Sequence, residues 1–212
     1  MLKDLNIVEF ADETASNSPA PGGGSIAALN AAMAASLLAM VGNLTVGKKK
    51  YMEFSPRAEE IAKACAEYKD KFVDAIDKDA NSFNGVMDAM KMPKETEEEK
   101  AARSEKMQKE YKIAIEVPLS LGTGVTDLYP YAKELAENGN ANAITDVAVA
   151  LINIKAAAEG AFLNVKINLN SLKDEAYRKS LEEKMAKTLD EVNENHEKIM
   201  GIVDEKLRWN IY

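Results

Sequence analysis

Apolar residues recur along this chain three or four positions apart, the spacing of helices, and no segment alternates in the manner of a half-buried strand. The first such stretch, Ile26 to Leu44, is uncharged and rich in alanine. Ser55-Pro56 reads as an N-cap followed by proline in the first turn, and Glu59-Glu60 complement the helix dipole. From there Ile61, Cys65, Tyr68, Phe72, Ile76, Phe83, Met87 and Met90 form one stripe that runs to Pro93. Thr96 and Glu99 have the spacing of a capping box and open the next helix, with Met107, Tyr111 and Ala114 inward. Pro118 should kink or break that helix, and Pro130 interrupts again before the stop at Asn138-Gly139. Another apolar helix, capped by Asn140 or Asn142, reaches roughly Asn168. The last, about Asp174 to Leu207, carries Leu181, Met185, Leu189, Val192, Ile199 and Val203. Long helices with short connections predict an all-α fold: an up-and-down-type bundle, kinked at Pro118, in a single domain over 1–212.

Composition changes this picture little. With 46% hydrophobic and 29% charged residues, the chain reads as an ordinary globular protein. Its net charge of −8 argues against a general binder of phosphate backbones. Lone Cys65 excludes an intramolecular disulfide and a cysteine-based metal cluster, and suits a reducing compartment. No secretory signal is read, because the first apolar run follows Asp4, Glu9, Asp12 and Glu13. Ser25 to Leu44 has the length of a membrane span. It is mostly alanine, however, and is interrupted by Asn30, Ser36, Gly42 and Asn43, so it reads as the buried centre of a bundle.

Several polar residues stand where the pattern calls for apolar ones. Pro21-Gly22-Gly23-Gly24-Ser25 opens the alanine-rich helix, with Ser25 as expected N-cap. Free amides there, with the helix dipole, make a site for an anionic group, although glycines also serve plain helix entries. Asp79 lies within the stripe of Phe72, Ile76 and Phe83, either as an interhelical ion pair or as part of a site. Arg103 precedes Met107 by four and either turns inward or stays solvated in the first helical turn. Asp146, Asn153, Ala157, Gly160, Asn164 and Asn168 share one helical face, fit either to orient a heterocycle or to form an amide network between helices. His196, the only histidine, falls between Val192 and Ile199 and reads as packed or at an interface. Gly42 to Lys49 nearly spells a phosphate-binding loop, but Lys49 replaces the required hydroxyl residue and a helix leads into it. The cluster Lys48-Lys49-Lys50 is either a helix-terminal lysine group or a holder for a carboxylate-rich tail.

Together these pieces resemble the cyclodeaminase/cyclohydrolase family of folate enzymes. The likeness is carried by Ser18 to Ser25, Gly47-Lys48-Lys49, Asp77 to Ala80 with Phe83, Met92-Pro93-Lys94, and Glu98 to Lys100 with Arg103. It continues through Val117-Pro118-Leu119, Gly139-Asn140, Asp146 and Asn164 to Leu169, covering about Asn17 to Leu172. The resemblance implies an all-helical homodimer or higher homo-oligomer with no metal or redox cofactor. Charge, composition and the lone cysteine lead to the expectation of a cytoplasmic protein with no nucleic-acid or membrane partner. The resemblance also implies a tetrahydrofolate substrate, often polyglutamylated. The activity expected is cyclodeamination of 5-formiminotetrahydrofolate to 5,10-methenyltetrahydrofolate and ammonia. The alternatives are hydrolysis of the methenyl compound to 10-formyltetrahydrofolate and a folate-binding helical dimer without catalysis. On this resemblance Asp79, Asp146 and Arg103 are the expected catalytic residues. Gly22, Gly23, Gly24, Ser25, Lys48, Lys49, Asn164 and Asn168 are expected to bind substrate.

Overall fold

The computed structural model describes residues 1–208. Among them are eight α-helices and no strand: α1 (Ile7–Ala15), α2 (Gly23–Thr45), α3 (Ser55–Ser82), α4 (Asn84–Met90), α5 (Glu97–Gly124), α6 (Tyr129–Asn138), α7 (Ile144–Leu169) and α8 (Glu175–Leu207). The uncharged helix α2 packs against α3 and α7. Ala28, Ala31, Ala34, Ala35 and Leu38 are fully buried there. Small side chains let the helix axes approach closely. A Cβ on Gly42 would stand 2.9 Å from the Ala58 carbonyl oxygen. Among the described residues α2 is the one helix long and apolar enough to cross a membrane, and 56% of that apolar window is buried inside the fold.

The main core joins α2, α3, α6, α7 and α8. A smaller cluster around Tyr111, Ile115, Phe162, Leu169 and Met185 fixes α5 to α7 and α8. Burying each such large side chain contributes about 1.5–3 kcal/mol, so tertiary packing rather than intrinsic propensity holds the helices in place.

Several boundaries differ from the sequence expectation for identifiable reasons. The stripe expected to run to Pro93 divides at Phe83 into α3 and α4. Just before the break, Asn81 donates to the Asp77 carbonyl and Ser82 to the Asp79 carbonyl, side-chain bonds that compete with helix continuation. Helix α5 runs through Pro118 to Gly124 instead of breaking there, while its Thr96–Glu99 capping box forms as expected. Ser25 is not an N-cap: α2 starts at Gly23 with Gly22 as its uncapped N-cap residue, and Ser25 is inside the helix. Ser55 is the first residue of α3 rather than its cap, and its hydroxyl accepts from the Gly47 amide at 2.9 Å. Gly47 sits at φ +69°, so the near-match to a phosphate loop is a turn between helices. Helix α1 went unread, although Asn6 and Glu9 form a full capping box there.

Candidate active site at the start of the second helix

Helices α2, α3, α5 and α7 converge on a cavity of about 240 Å³ at the first turn of α2. Gly22, Gly23 and Gly24 form one wall, Asp79 and Phe83 another, and Asn164 and Asn168 a third. The carboxyl of Asp79 lies directly against Gly24, where a Cβ would overlap it. Gly23 passes Asn164 so closely that a Cβ would stand 3.2 Å from the amide nitrogen. Two of the three glycines thus press closely on neighbouring side chains, and neither has a positive φ angle. The α2 entry sits against a carboxyl of its own chain, that of Asp79.

Ser25 joins α2 to α3. Its buried hydroxyl is 3.0 Å from the Ile76 carbonyl oxygen and 3.2 Å from Asp79 Oδ2. A hydroxyl carries one proton, so it serves one of these acceptors at a time or is shared between them. Burial pushes the Asp79 carboxyl above its ordinary value, and the Ser25 hydroxyl and amide oppose that shift by favouring the charged form. Burial wins. Among the described lining residues Asp79 is the one ionisable side chain; the others are glycines, apolar residues, Ser82 and the two asparagines. The cavity therefore offers a proton donor and acceptor beside amide groups in an otherwise apolar setting. Asn164 donates to the Gly160 carbonyl at 2.8 Å, which fixes its side chain on α7.

Six of the eleven expected site residues thus line one cavity: Gly22, Gly23, Gly24, Asp79, Asn164 and Asn168. Ser25 is tied to it through Asp79. Four lie elsewhere. Asp146 is in the first turn of α7, about 27 Å along the helix from Asn164. Lys48 and Lys49 are exposed beyond the far end of α2, about 33 Å from Gly23 along its axis. The Arg103 guanidinium donates to the Met90 carbonyl at 3.2 Å, in a separate hollow shared with Tyr111, Gln108 and Lys173. His196 packs partly buried on α8 with Nδ1 unpartnered, and burial lowers its basicity. Pro118 and Ala114, one turn apart on α5, also line the cavity. Sequence reasoning took Pro118 as a helix breaker and as part of the Val117-Pro118-Leu119 motif, and gave neither residue a place in the site.

The sequence of residues 6–187 matches the family model of formiminotransferase-cyclodeaminase. A methenyltetrahydrofolate cyclohydrolase of Methylorubrum extorquens is 37% identical over 98% of this chain and 100% of its own length. The formimidoyltransferase-cyclodeaminase of Gallus gallus is 32% identical over 93% of this chain, which spans only 36% of that longer protein. The crystal structure of formiminotetrahydrofolate cyclodeaminase from Thermotoga maritima superposes with a TM-score of 0.79 at 32% identity, covering 98% of both chains. By sequence along most of its length and by the fold that forms the cavity, the chain belongs to the formiminotransferase-cyclodeaminase family.

Proposed function

We propose that this chain is a folate one-carbon enzyme, a formimidoyltetrahydrofolate cyclodeaminase in which Asp79 moves the protons. The observation that carries the reading is a single carboxyl of raised pKa at an apolar, amide-lined cavity. Cyclodeamination needs both an acid and a base. N10 of 5-formiminotetrahydrofolate attacks the formimino carbon, its proton is removed, and the formimino nitrogen departs as ammonia once protonated. One carboxyl can serve both steps. Neutral Asp79 protonates the imine nitrogen, its carboxylate then takes the N10 proton, and it returns that proton to the leaving amine. Positioned groups of this kind contribute about 10²–10⁴-fold each. Both reacting atoms belong to one substrate, so holding its conformation lowers the barrier further. Asn164 and Asn168 have the donors and acceptors to hold the polar ring, and Phe83 has the apolar surface to pack on it. These proton transfers require no cofactor.

A second reading is supported by the full-length likeness to the Methylorubrum extorquens cyclohydrolase. In that reaction Asp79 acts on water at the methenyl carbon, and 10-formyltetrahydrofolate is released. Both reactions share 5,10-methenyltetrahydrofolate, so one spectroscopic signal separates them. Purified protein mixed with 5-formiminotetrahydrofolate should raise the near-ultraviolet absorbance of the methenyl product faster than the spontaneous rate. A flat trace from folded protein, with accelerated decay of added methenyltetrahydrofolate, would replace the first reading by the second. Neither signal would end both.

A further inference from the structure

The short helix α4 is held to α5 at both of its ends. At its start, the Glu110 carboxyl lies directly against Gly85, where a Cβ would overlap it. At its far end, the Arg103 guanidinium donates from Nε at 3.3 Å and from Nη2 at 3.2 Å to the carbonyl oxygen of Met90, the last residue of α4. A helix leaves its final carbonyls without partners of its own, and Arg103 serves this one. Arg103 and Glu110 stand two turns apart on α5, so both face α4. Each has the sign that a helix dipole favours at its end, a carboxylate at the start and a cation at the finish. Between the two anchors Val86 and Ala89 are buried.

These anchors matter because α4 is short. Its 7 residues make fewer than two turns, and isolated helices below about 12–15 residues are marginal in water. Contacts with α5 therefore decide where α4 lies. Glu110 is only 8% exposed, a costly place for a carboxylate, and its Lys106 partner at 2.7 Å offsets part of that cost. Neither Glu110 nor Arg103 lines the Asp79 cavity. Phe83 does, and it is the residue that joins α3 to α4. Its side chain is 37% exposed, so its own packing places it loosely. The side-chain bonds of Asn81 and Ser82 end α3 just before it, which leaves α4 to set the angle of the chain at Phe83.

We infer that Arg103 and Glu110 are positioning residues: by anchoring α4 at its two ends they hold the Phe83 ring in place as an apolar wall of the Asp79 cavity. Arg103, expected among the catalytic residues, thus acts through α4 and touches no reacting atom. The inference rests on the folate reading in one respect, that the Phe83 ring packs on the bound substrate. Such a wall acts on the ground state and the transition state alike, so its loss appears in KM rather than in kcat.

Hydrogen exchange followed by mass spectrometry reads the anchors without substrate. In Arg103→Ala the α4 amides should exchange about tenfold faster than in wild type, while those of α2 and α7 keep their protection. Unchanged α4 exchange would overturn the anchoring. Were Arg103→Ala to unfold, Arg103→Lys decides: it keeps one donor for the Met90 carbonyl and should show a smaller rise confined to α4, and no rise would again overturn the anchoring. Steady-state kinetics read the route to the cavity. Arg103→Ala should raise KM about 2–10-fold with little change in kcat, and Phe83→Ala should do the same. Because both act through one ring, the double variant should show no further rise. KM effects that multiply, or a fall in kcat at unchanged KM, would overturn the route through Phe83. The exchange measurement involves no turnover, so a protein inactive on folates would lose the proposed reaction and keep its anchors. Multiplying KM effects in an active protein would remove this inference and leave the reaction standing.

Discussion

Gly24 and Asp79 share a boundary with no room for one further carbon atom, since a Cβ on the glycine would overlap the aspartate carboxyl. The acid is consequently positioned by backbone, the stiffest part of the site. Gly24→Ala should displace Asp79 while leaving the alanine-rich body of α2 packed. Misplacing a reacting group by about 1 Å costs about 10²-fold in rate. Steady-state turnover beside a thermal melt checks this; wild-type turnover in a folded Gly24→Ala protein would remove the close approach from the mechanism.

Asp79→Asn should lower turnover by about 10²–10⁴-fold and leave substrate binding nearly intact. It should also change stability with a defined sign. Burial holds the native carboxyl above its ordinary 3.8, so from that value up to the native one the folded chain keeps a proton that the unfolded chain has released. The group's contribution is full in acid and is lost as pH rises through this window. Asparagine cannot ionise. The variant's Tm should therefore match wild type in acid and exceed it at neutral pH, as a pair of melting series would show.

Ser25→Ala removes a donor that favours the ionised form of Asp79. The carboxyl should rise further, visible as an upward move of its apparent pKa in the pH dependence of kcat/KM. The Ile76 carbonyl loses the same hydroxyl, at a cost of about 1 kcal/mol in denaturant unfolding. A stability loss without any movement of the pH profile would confine Ser25 to a structural role.

Asn164→Ala should raise KM more than it lowers kcat, because an asparagine that holds the ring acts in the ground state and the transition state alike. An equal fall in kcat and kcat/KM would instead place this amide in the transition state.

Away from the site, Gly122→Ala should destabilise without altering the pH profile. A Cβ there would come 2.5 Å from the buried Phe162 ring, and overpacking of this kind costs about 1–3 kcal/mol. Chemical denaturation reads it directly.

The helices were legible because their apolar positions repeat at the helical period, and five of the eight were found with their order intact. Those missed or merged, α1, α4 and α6, are the short ones, where fewer than three turns give periodicity little to repeat. Pro118 misled in one respect, since α5 continues through it. At the site, Asp79 stood out as a charge inside an apolar stripe, and Asn164 and Asn168 as amides on an apolar helix. Ser25 was noticed for the wrong reason. Its serine-after-glycine context is that of a cap, and only the packing of α2 on α3 turns the hydroxyl toward Ile76 and Asp79. Arg103, Asp146 and the lysines lie away from the cavity for a similar reason: sequence spacing reports which face of a helix a residue occupies, not which end of the bundle.

The alanines of α2 carry a consequence for tolerance to change. Ala28, Ala31, Ala34 and Ala35 are not among the residues lining the Asp79 cavity, yet each is wholly enclosed by neighbouring helices. A saturation scan read out by activity should find them nearly as intolerant as Asp79, because any larger residue pushes α3 or α7 outward and carries Asp79 or Asn164 with it. The exposed positions of the same helix, a few ångströms away, should accept other apolar residues freely. A map of mutational sensitivity would then show a chemically inert stripe that governs the spacing on which the acid and the amides depend.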